Sequence, residues 1–155
     1  VTPEREENMD FTNSYATGVQ VVIVPEDSDI TSIDDLQGKL IGVQQGTTGD
    51  IYCSDTPENG GYGEENVQKF SSGPLAVEAL KNGQVDCVVI DNEPAKAYVE
   101  ANPGLKILDT EFAVEDYAIG VAKGIDALLD ALNNALEELE SDGTLDKIIG
   151  EYIHE

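Results

Sequence analysis

The chain has 155 residues, of which 40% are apolar and 26% are charged, a composition typical of a folded globular protein rather than a disordered one. This length accommodates one compact domain, or one small domain with a helical extension, but not two full-sized domains. The formal net charge of -24 would repel a phosphate backbone, and no cluster of Lys or Arg offsets it, so the sequence argues against nucleic acid as a partner.

The acidic surplus by itself identifies no ligand, because it fits a solvated acidic surface as well as adaptation to high salt or attraction of cations. Cys53 and Cys87 lack the CxxC spacing and the flanking His of a zinc site, so we expect no metal and no cofactor. A buried free thiol at Cys87 is favoured over a disulfide. No apolar run is long enough to span a membrane. The chain starts at Val1 without a signal peptide, and we expect that segment to have been removed.

Regular structure is predicted from Val19 onwards, whereas the first twenty residues show neither clean helical nor clean strand periodicity and are predicted to be a connecting segment. A strand is predicted for VQVVIV and a very short helix for TSIDDL. KLIGVQQG is predicted to be a second strand, LIGV, running into a loop. The stretch TTGDIYCS is predicted to begin a helix. After a polar excursion rich in Gly, Pro and Asn, VQKFSS is the third predicted strand.

Strands and helices continue to alternate in the second half. Helices are predicted for SGPLAVEALKNGQ and NEPAKAYVEANPG, and strands for DCVVID, LKILDTEF and YAIGVAKG. An apolar stripe then predicts an amphipathic helix, followed by a second helix that begins at Thr144 and runs through Ile149 to Ile153; the stripe comprises Leu128, Leu129, Leu132, Ala135, Leu136 and Leu139. The sequence therefore predicts an α/β fold, an open and mostly parallel sheet with helices on both faces and a C-terminal helical pair.

The segment Gln44-Gln45-Gly46-Thr47-Thr48-Gly49 is the first candidate site. It follows a predicted strand, and in open α/β sheets ligands bind outside the carboxyl ends of the strands. Glycine lets the backbone approach a ligand closely, and backbone N–H groups with the hydroxyls of Thr47 and Thr48 suit an anion such as a carboxylate. An ordinary strand-to-helix turn with Thr as the N-cap explains the same residues.

Two charged residues are further candidates. Asp91 is the first carboxylate after a buried strand, where a charge needs a cationic partner such as an α-ammonium group, although an N-cap role for the next helix fits equally. Arg5 is the only arginine, and its planar fork suits a carboxylate. Taken alone, the position of Arg5 favours a surface ion pair with a neighbouring glutamate.

Five separated stretches together resemble the polar amino-acid-binding family of bacterial extracellular solute-binding proteins, in the family's order: TPERE, DFTNSY, SIDDLQGKLIGVQQGTT, ALKNGQVDCVVID and ELESDGTLDKII. The resemblance covers essentially the whole chain. It implies a lobe of the periplasmic binding protein type II kind. It further implies that Arg5 holds the α-carboxylate of an amino acid, that Thr48 assists it, and that Asp91 holds the α-ammonium. Gln44 lies where family members often touch the ligand side chain.

Family members are two-lobed clamps with two hinge strands, and most of the first lobe precedes the TPERE motif. The resemblance therefore implies that residues 1–18 are a remnant of the first lobe and hinge. Residues 19–118 would form the second α/β lobe, and residues 119–155 the second hinge strand and the helices that pack on the first lobe. The hinges would correspond to Ala16–Val21 and Tyr117–Val121.

The function implied is the substrate-binding component of an ABC-type amino-acid importer, located outside the cytoplasm in the periplasm or as a cell-surface lipoprotein. Its partners would be a free amino acid, polar or cationic, and a membrane permease. A ligand-binding domain of an extracellular sensor or receptor is the alternative. An enzyme is not favoured, because the sole histidine, His154, has no evident partner and no nucleophile–base set is present.

Two expectations follow from the half-clamp interpretation. The apolar stripe from Leu128 to Leu139 would be left uncovered, which favours self-association, with exchanged helices as one form. A single lobe would also bind a free amino acid far more weakly than a complete clamp, because it cannot desolvate the ligand on both sides.

Overall fold

A computed structural model describes residues 1–152, and the chain divides into two compact units. The central unit is Val19–Val114, and the terminal unit combines Val1–Gly18 with Glu115–Glu155. In chain order the elements are α1 (Pro3–Asn8), β1 (Met9–Phe11), β2 (Ala16–Pro25), β3 (Ile41–Gln44), α2 (Thr48–Ser54), β4 (Val67–Phe70), α3 (Gly73–Lys81), β5 (Cys87–Asp91), α4 (Asn92–Ala101), β6 (Leu105–Ile107), β7 (Ala113–Tyr117), β8 (Gly120–Ala122), α5 (Asp126–Ser141) and α6 (Thr144–Tyr152).

The main sheet has the strand order β4-β3-β5-β2-β6, and β7 also pairs with β2. Strand β3 is parallel to both of its neighbours, with Ile41 opposite Val67 of β4 and Cys87 of β5. Strand β2 is antiparallel to β5 and to β6. The predicted α/β class is confirmed, with β2 as the strand of opposite direction, which side-chain alternation alone cannot reveal because it is the same in both directions.

Both faces of the sheet are buried, and this explains why the central strands are apolar without interruption. Along β2, Val21 and Ile23 pack on one side with residues of α3 and α4. Val22 and Val24 pack on the other side with Cys53 of α2 and with residues from the segment between β2 and β3. A strand covered on both faces needs apolar side chains at every position rather than at alternate ones.

The prediction of a connecting segment over the first twenty residues is wrong, because most of them lie in a helix or a strand. Helix α1 begins after Thr2, whose hydroxyl accepts a hydrogen bond from the Arg5 N–H at 3.4 Å, and Pro3 occupies its first turn. Strand β1 pairs antiparallel with β8, with Met9 opposite Ala122. A three-residue strand formed with a partner so distant in sequence leaves no local periodicity to detect.

The single strand predicted for YAIGVAKG is divided between β7 and β8. The division lies at Ile119, whose N–H donates to the Thr12 hydroxyl and whose carbonyl accepts from the Thr12 N–H, both at 3.0 Å. The chain thus passes from pairing with β2 to pairing with β1. A change of partner of this kind depends on tertiary structure and not on the local sequence.

Cys53 and Cys87 are both buried free thiols in the same apolar cluster. The free thiol predicted for Cys87 is confirmed. Cys53 lies on the sheet-facing side of α2 and is buried as well. The polar, Gly-rich neighbours of Cys53 in the sequence do not reveal this burial, because burial of a helix residue depends on its face and not on its sequence neighbours.

Helices α5 and α6 contain no buried residue within the described part of the chain. The predicted stripe on α5 is only partly covered, since Leu129, Leu132, Leu136 and Leu139 are half-buried and Leu128 is 47% exposed. Ile153, predicted to end the second helix, lies outside the described residues. Across residues 1–152, none of the helices combines the length and apolar character that crossing a membrane requires.

Candidate functional site

The carboxyl ends of β3, β4 and β5 lie at one edge of the main sheet. The three strands are parallel, with Gln44 opposite Phe70 and Val43 opposite Val89. The segments that follow these strands therefore leave the sheet at the same edge. Four of the predicted site residues are placed there, within the central unit: Gln44, Thr47, Thr48 and Asp91. This is the edge at which open α/β sheets bind ligands.

The loop from Gln44 to Thr48 is held tightly by its own hydrogen bonds. Gly46 has a φ of +77°, a left-handed conformation that other residues rarely adopt. Thr47 is the N-cap of α2, and its hydroxyl donates to the Gln44 carbonyl at 2.8 Å and accepts from the Asp50 N–H at 3.5 Å. Thr48 begins the helix and is buried. The capping role considered for this loop therefore belongs to Thr47.

Asp50 is a buried carboxylate beneath this loop that the sequence analysis missed, and it is 6% exposed. One of its oxygens, Oδ2, accepts from the Gly46 N–H at 2.8 Å. Its Oδ1 accepts from the Ser54 hydroxyl at 2.9 Å and lies 3.1 Å from the Lys69 ammonium. A signal was present, because an acidic residue three positions after a Thr N-cap is typical of a capping box.

The Asp50 carboxyl group is ionised at neutral pH. Burial raises the pKa of Asp50, but the hydrogen bonds from Gly46, Lys69 and Ser54, together with the charge of Lys69, outweigh that effect and lower the pKa below its ordinary value. The edge therefore contains a paired negative charge at Asp50 in addition to the carboxyl group of Asp91.

Asp91 ends β5 and occupies the N-cap position of α4, but its side chain accepts no capping hydrogen bond there. The capping alternative therefore does not account for this carboxyl group. Gln20 lies directly opposite Asp91 on β2 and is 2% exposed. A side chain added at Gly49 would come within 3.0 Å of the Gln20 Oε1, so Gln20 reaches the first turn of α2. The polar residue in an otherwise apolar strand was the available signal for Gln20.

Arg5, the fifth predicted site residue, belongs to the terminal unit, where it lies on α1 and is half-buried. His154 lies outside the described residues. Among residues 1–152, no group of three or more His, Cys, Asp or Glu side chains could hold a metal ion. Burial raises the pKa of the Cys87 thiol to about 12 and also raises that of Cys53, so both thiols are protonated at neutral pH and poorly suited to act as nucleophiles.

An open cavity of about 290 Å³ in the central unit has a different lining from the edge described above. Its walls include the rings of Tyr52, Tyr62 and Phe112, and none of the five predicted site residues lines it. The candidate ligand site is thus a surface edge and not this cavity.

The sequence profile of the bacterial extracellular solute-binding proteins, family 3, matches residues 1–155. The chain belongs to this family. A family-3 relative, the probable histidine-binding protein of Neisseria gonorrhoeae, is 36% identical over 98% of this chain and 57% of its own length. The ABC transporter arginine-binding protein 1 of Escherichia coli is 34% identical over 98% of this chain and 62% of its own length. This family-3 chain thus spans about 60% of the length of these curated relatives.

Solved structures of amino-acid-binding proteins have the same fold as this family-3 chain. An ancestral arginine-binding protein bound to glutamine is 40% identical with a TM-score of 0.85, and the match covers 100% of this chain and 68% of that protein. The arginine-, lysine-, histidine-binding protein ArtJ of Geobacillus stearothermophilus is 30% identical with a TM-score of 0.86, over 99% and 66% of the two chains. The family resemblance recognised from the sequence is confirmed.

Proposed function

We propose that this chain is the ligand-gripping lobe of the substrate-binding component of an ABC-type amino-acid importer, acting outside the cytoplasm with a membrane permease. The observation that supports this proposal most directly is the convergence of the Gln44–Thr48 loop and Asp91 at one sheet edge. That edge offers a hydroxyl-bearing loop suited to a carboxylate beside a carboxyl group suited to an ammonium. The named ligands of the relatives, arginine, histidine and glutamine, carry both groups.

In this proposal Asp91 accepts the α-ammonium group of the ligand. Thr48 donates to the α-carboxylate through its hydroxyl and backbone N–H. Gln44 contacts the ligand side chain, and for Arg5, which belongs to the terminal unit, the family resemblance implies a role in holding an α-carboxylate. Thr47 contributes by shaping the loop. Charge-assisted hydrogen bonds of this kind are shorter and stronger than neutral ones, which suits recognition of a zwitterion.

The central unit, extended at its end from residue 114 to residue 118, would correspond to the second lobe of a two-lobed clamp. Residues 1–18 would correspond to the remnant of the first lobe and hinge. Residues 119–155 would supply the second hinge strand and the helices that pack on the first lobe. The chain would act as a binding module without catalysis. Its ligand would be a polar or cationic amino acid.

Addition of L-arginine, L-histidine or L-glutamine to the ¹⁵N-labelled chain will shift the amide resonances of Thr48 and of the residues around Asp91. We expect a Kd on the order of 1 mM or weaker, because one lobe leaves much of the ligand in water. Asp91→Asn and Arg5→Ala will each weaken binding by about tenfold or more, since each removes one partner of a charged pair. Titration followed by NMR gives both the affinity and the location.

Matched controls make this test specific. Asp109→Asn removes an exposed carboxylate of the central unit that lies outside the site, and it should leave the affinity unchanged. Agmatine, which lacks the α-carboxylate of arginine, should produce no shift at Thr48. The site assignment fails if neither Asp91→Asn nor Arg5→Ala weakens binding, and a Kd of about 1 μM or tighter would contradict the half-clamp interpretation.

We also propose that the chain self-associates through α5 and α6. The two helices contain no buried residue in the described part of the chain, and they present Leu128 and Ile148 at 47% and 45% exposure. An uncovered apolar face of this kind favours association with a second copy, either face to face or by exchange of the helices. Sedimentation velocity at increasing protein concentration should show a dimer or larger species.

Leu128→Glu combined with Ile148→Glu should shift the sedimentation profile to the monomer, because association would then have to remove two charged side chains from water. Leu75→Glu is the matched control, since Leu75 is an equally exposed leucine, at 51%, on helix α3 of the central unit. A monomer throughout the concentration range, or equal dissociation by Leu75→Glu, would refute association through this face.

A further inference from the structure

The Gln44–Thr48 loop is fixed from below by Asp50, whose three contacts reach three different parts of the central unit. The Gly46 N–H belongs to the loop itself, the Ser54 hydroxyl to the end of α2, and the Lys69 ammonium to β4. Lys69 in turn lies 3.2 Å from Glu64, in the segment before β4. One buried carboxylate therefore ties the loop to the helix that follows it and to the neighbouring strand.

The other contacts of the loop leave it little freedom to rearrange. The Gln45 N–H donates to the Phe70 carbonyl at 2.8 Å, which continues the pairing of β3 with β4 beyond the end of the strand. The Thr47 hydroxyl closes the loop onto the Gln44 carbonyl. The hydrogen bond from the Gly46 N–H to the Asp50 carboxylate restrains the one residue of the loop that has a left-handed backbone conformation.

We propose that Asp50, held by Lys69 and Ser54, is a positioning residue for amino-acid binding: it fixes the loop backbone so that Thr48 meets the ligand carboxylate in a preformed geometry. This inference rests on the proposed function, because it assigns a supporting role to the same site. Asp50 does not touch the ligand in this scheme. Its contribution is to lower the entropic cost of ordering the loop when the ligand binds.

A carboxylate is needed at this position because both of its oxygens accept hydrogen bonds from donors. An asparagine would offer one acceptor oxygen and would turn its NH₂ group towards either Gly46 or the Ser54 and Lys69 pair. One donor would then lose its acceptor in a buried place, which is the costly outcome for a polar group. Asp50→Asn therefore changes the loop anchor with almost no change in side-chain volume.

A purely structural role would also destabilise the fold when Asp50 is changed, so the test separates affinity from stability. The matched control is Asp55, the residue after the end of α2, whose carboxylate accepts from the Thr56 N–H at 2.7 Å and from the Asn59 side chain at 3.0 Å. Like Asp50, it is a carboxylate that holds backbone next to the same helix. Unlike Asp50, its side chain holds residues after α2 and not the Gln44–Thr48 loop.

The experiment combines amino-acid titration followed by NMR with amide hydrogen exchange and thermal unfolding, for the chain and its variants. In Asp50→Asn we expect the Gly46 amide to exchange about tenfold faster or more and the affinity for L-arginine to fall by about tenfold. Lys69→Met should give a smaller change in the same direction, and Lys69→Arg, which keeps the charge, should restore most of the affinity. Asp55→Asn should lower the unfolding temperature without changing the affinity.

The result that overturns the inference is a folded Asp50→Asn variant with unchanged affinity, or an equal loss of affinity in Asp55→Asn. A chain with no ligand-induced shifts at Thr48 and Asp91 would instead defeat the proposed function and this inference together. A chain that binds normally but is insensitive to Asp50→Asn would defeat this inference alone.

Discussion

Raising the NaCl concentration from about 0.01 M to about 1 M should raise the midpoint of thermal unfolding of this chain by about 10 °C. The reason is the charge balance: 8 basic residues face 32 acidic ones, so most carboxylates cannot have a basic partner. Over that range the screening length falls from about 30 Å to about 3 Å, which removes most repulsion between exposed charges. Repulsion is strongest in the compact folded state, so screening stabilises the folded state.

Helix α5 is one place where this repulsion is concentrated. It contains five acidic residues and no basic one, and its last turn contains no basic residue to balance the negative end of the helix dipole. Replacing Glu137, Glu138 and Glu140 by Gln should raise the unfolding temperature at low salt and reduce its dependence on NaCl. The charge-conserving replacement of the same three residues by Asp is the control and should retain the full salt dependence.

Circular dichroism at several NaCl concentrations, at protein concentrations low enough to limit association, measures this effect directly. An unfolding temperature that is flat or falls between low and high salt would show that the acidic surface is well tolerated and that the fold has no requirement for screening. Of the interpretations left open by the composition, that outcome would favour an ordinary solvated surface.

Ile23→Ala should lower the free energy of unfolding of the central unit by about 2–5 kcal/mol. Ile23 is completely buried on β2, between Val88 of β5 and Ile107 of β6, so its side chain packs at the junction of three strands. Truncation removes the transfer free energy of the lost carbons and leaves a cavity that close packing prevents from collapsing. Because domains are stable by only about 5–15 kcal/mol, this is a large fraction of the total.

Urea unfolding of the two variants Ile23→Ala and Ile23→Val measures the loss, and the valine variant should lose only about 0.5–1.5 kcal/mol. Ile119→Ala is the control, because Ile119 is 38% exposed and should change stability by less than about 1 kcal/mol. If Ile23→Ala proved as mild as Ile119→Ala, the sheet would have to relax around the missing atoms, and the rigid core inferred from burial would be wrong.

The fold of the central unit was largely predictable because its signals are local. The apolar run at Val21–Val24 predicts a buried strand, and Pro74 and Gly83 mark the two ends of a helix. The direction of β2 was not predictable, because it depends on which strand pairs with it. Helix α1 and strand β1 were missed, although Thr2 and Pro3 form a recognisable helix start.

The candidate site divides in the same way. Gln44, Thr47, Thr48 and Asp91 could be proposed because each follows a predicted strand, and parallel strands bring such positions to one edge. Asp50 could not be proposed with the same reasoning, since its significance comes from Lys69, which only the register of β4 beside β3 brings near. Gln20 likewise can be connected with the site only through its antiparallel pairing with Asp91, which the sequence does not reveal.

Strand β2 has a consequence for how the protein is made. It is an interior strand of the sheet, yet its partners β5, β6 and β7 all follow it much later in the chain. Ribosomes add roughly 5–20 residues per second, so the apolar segment Val21–Val24 is synthesised several seconds before its partners exist. During translation this segment is an unpaired β-prone stretch, and we expect it to be the point at which a nascent-chain chaperone is needed most.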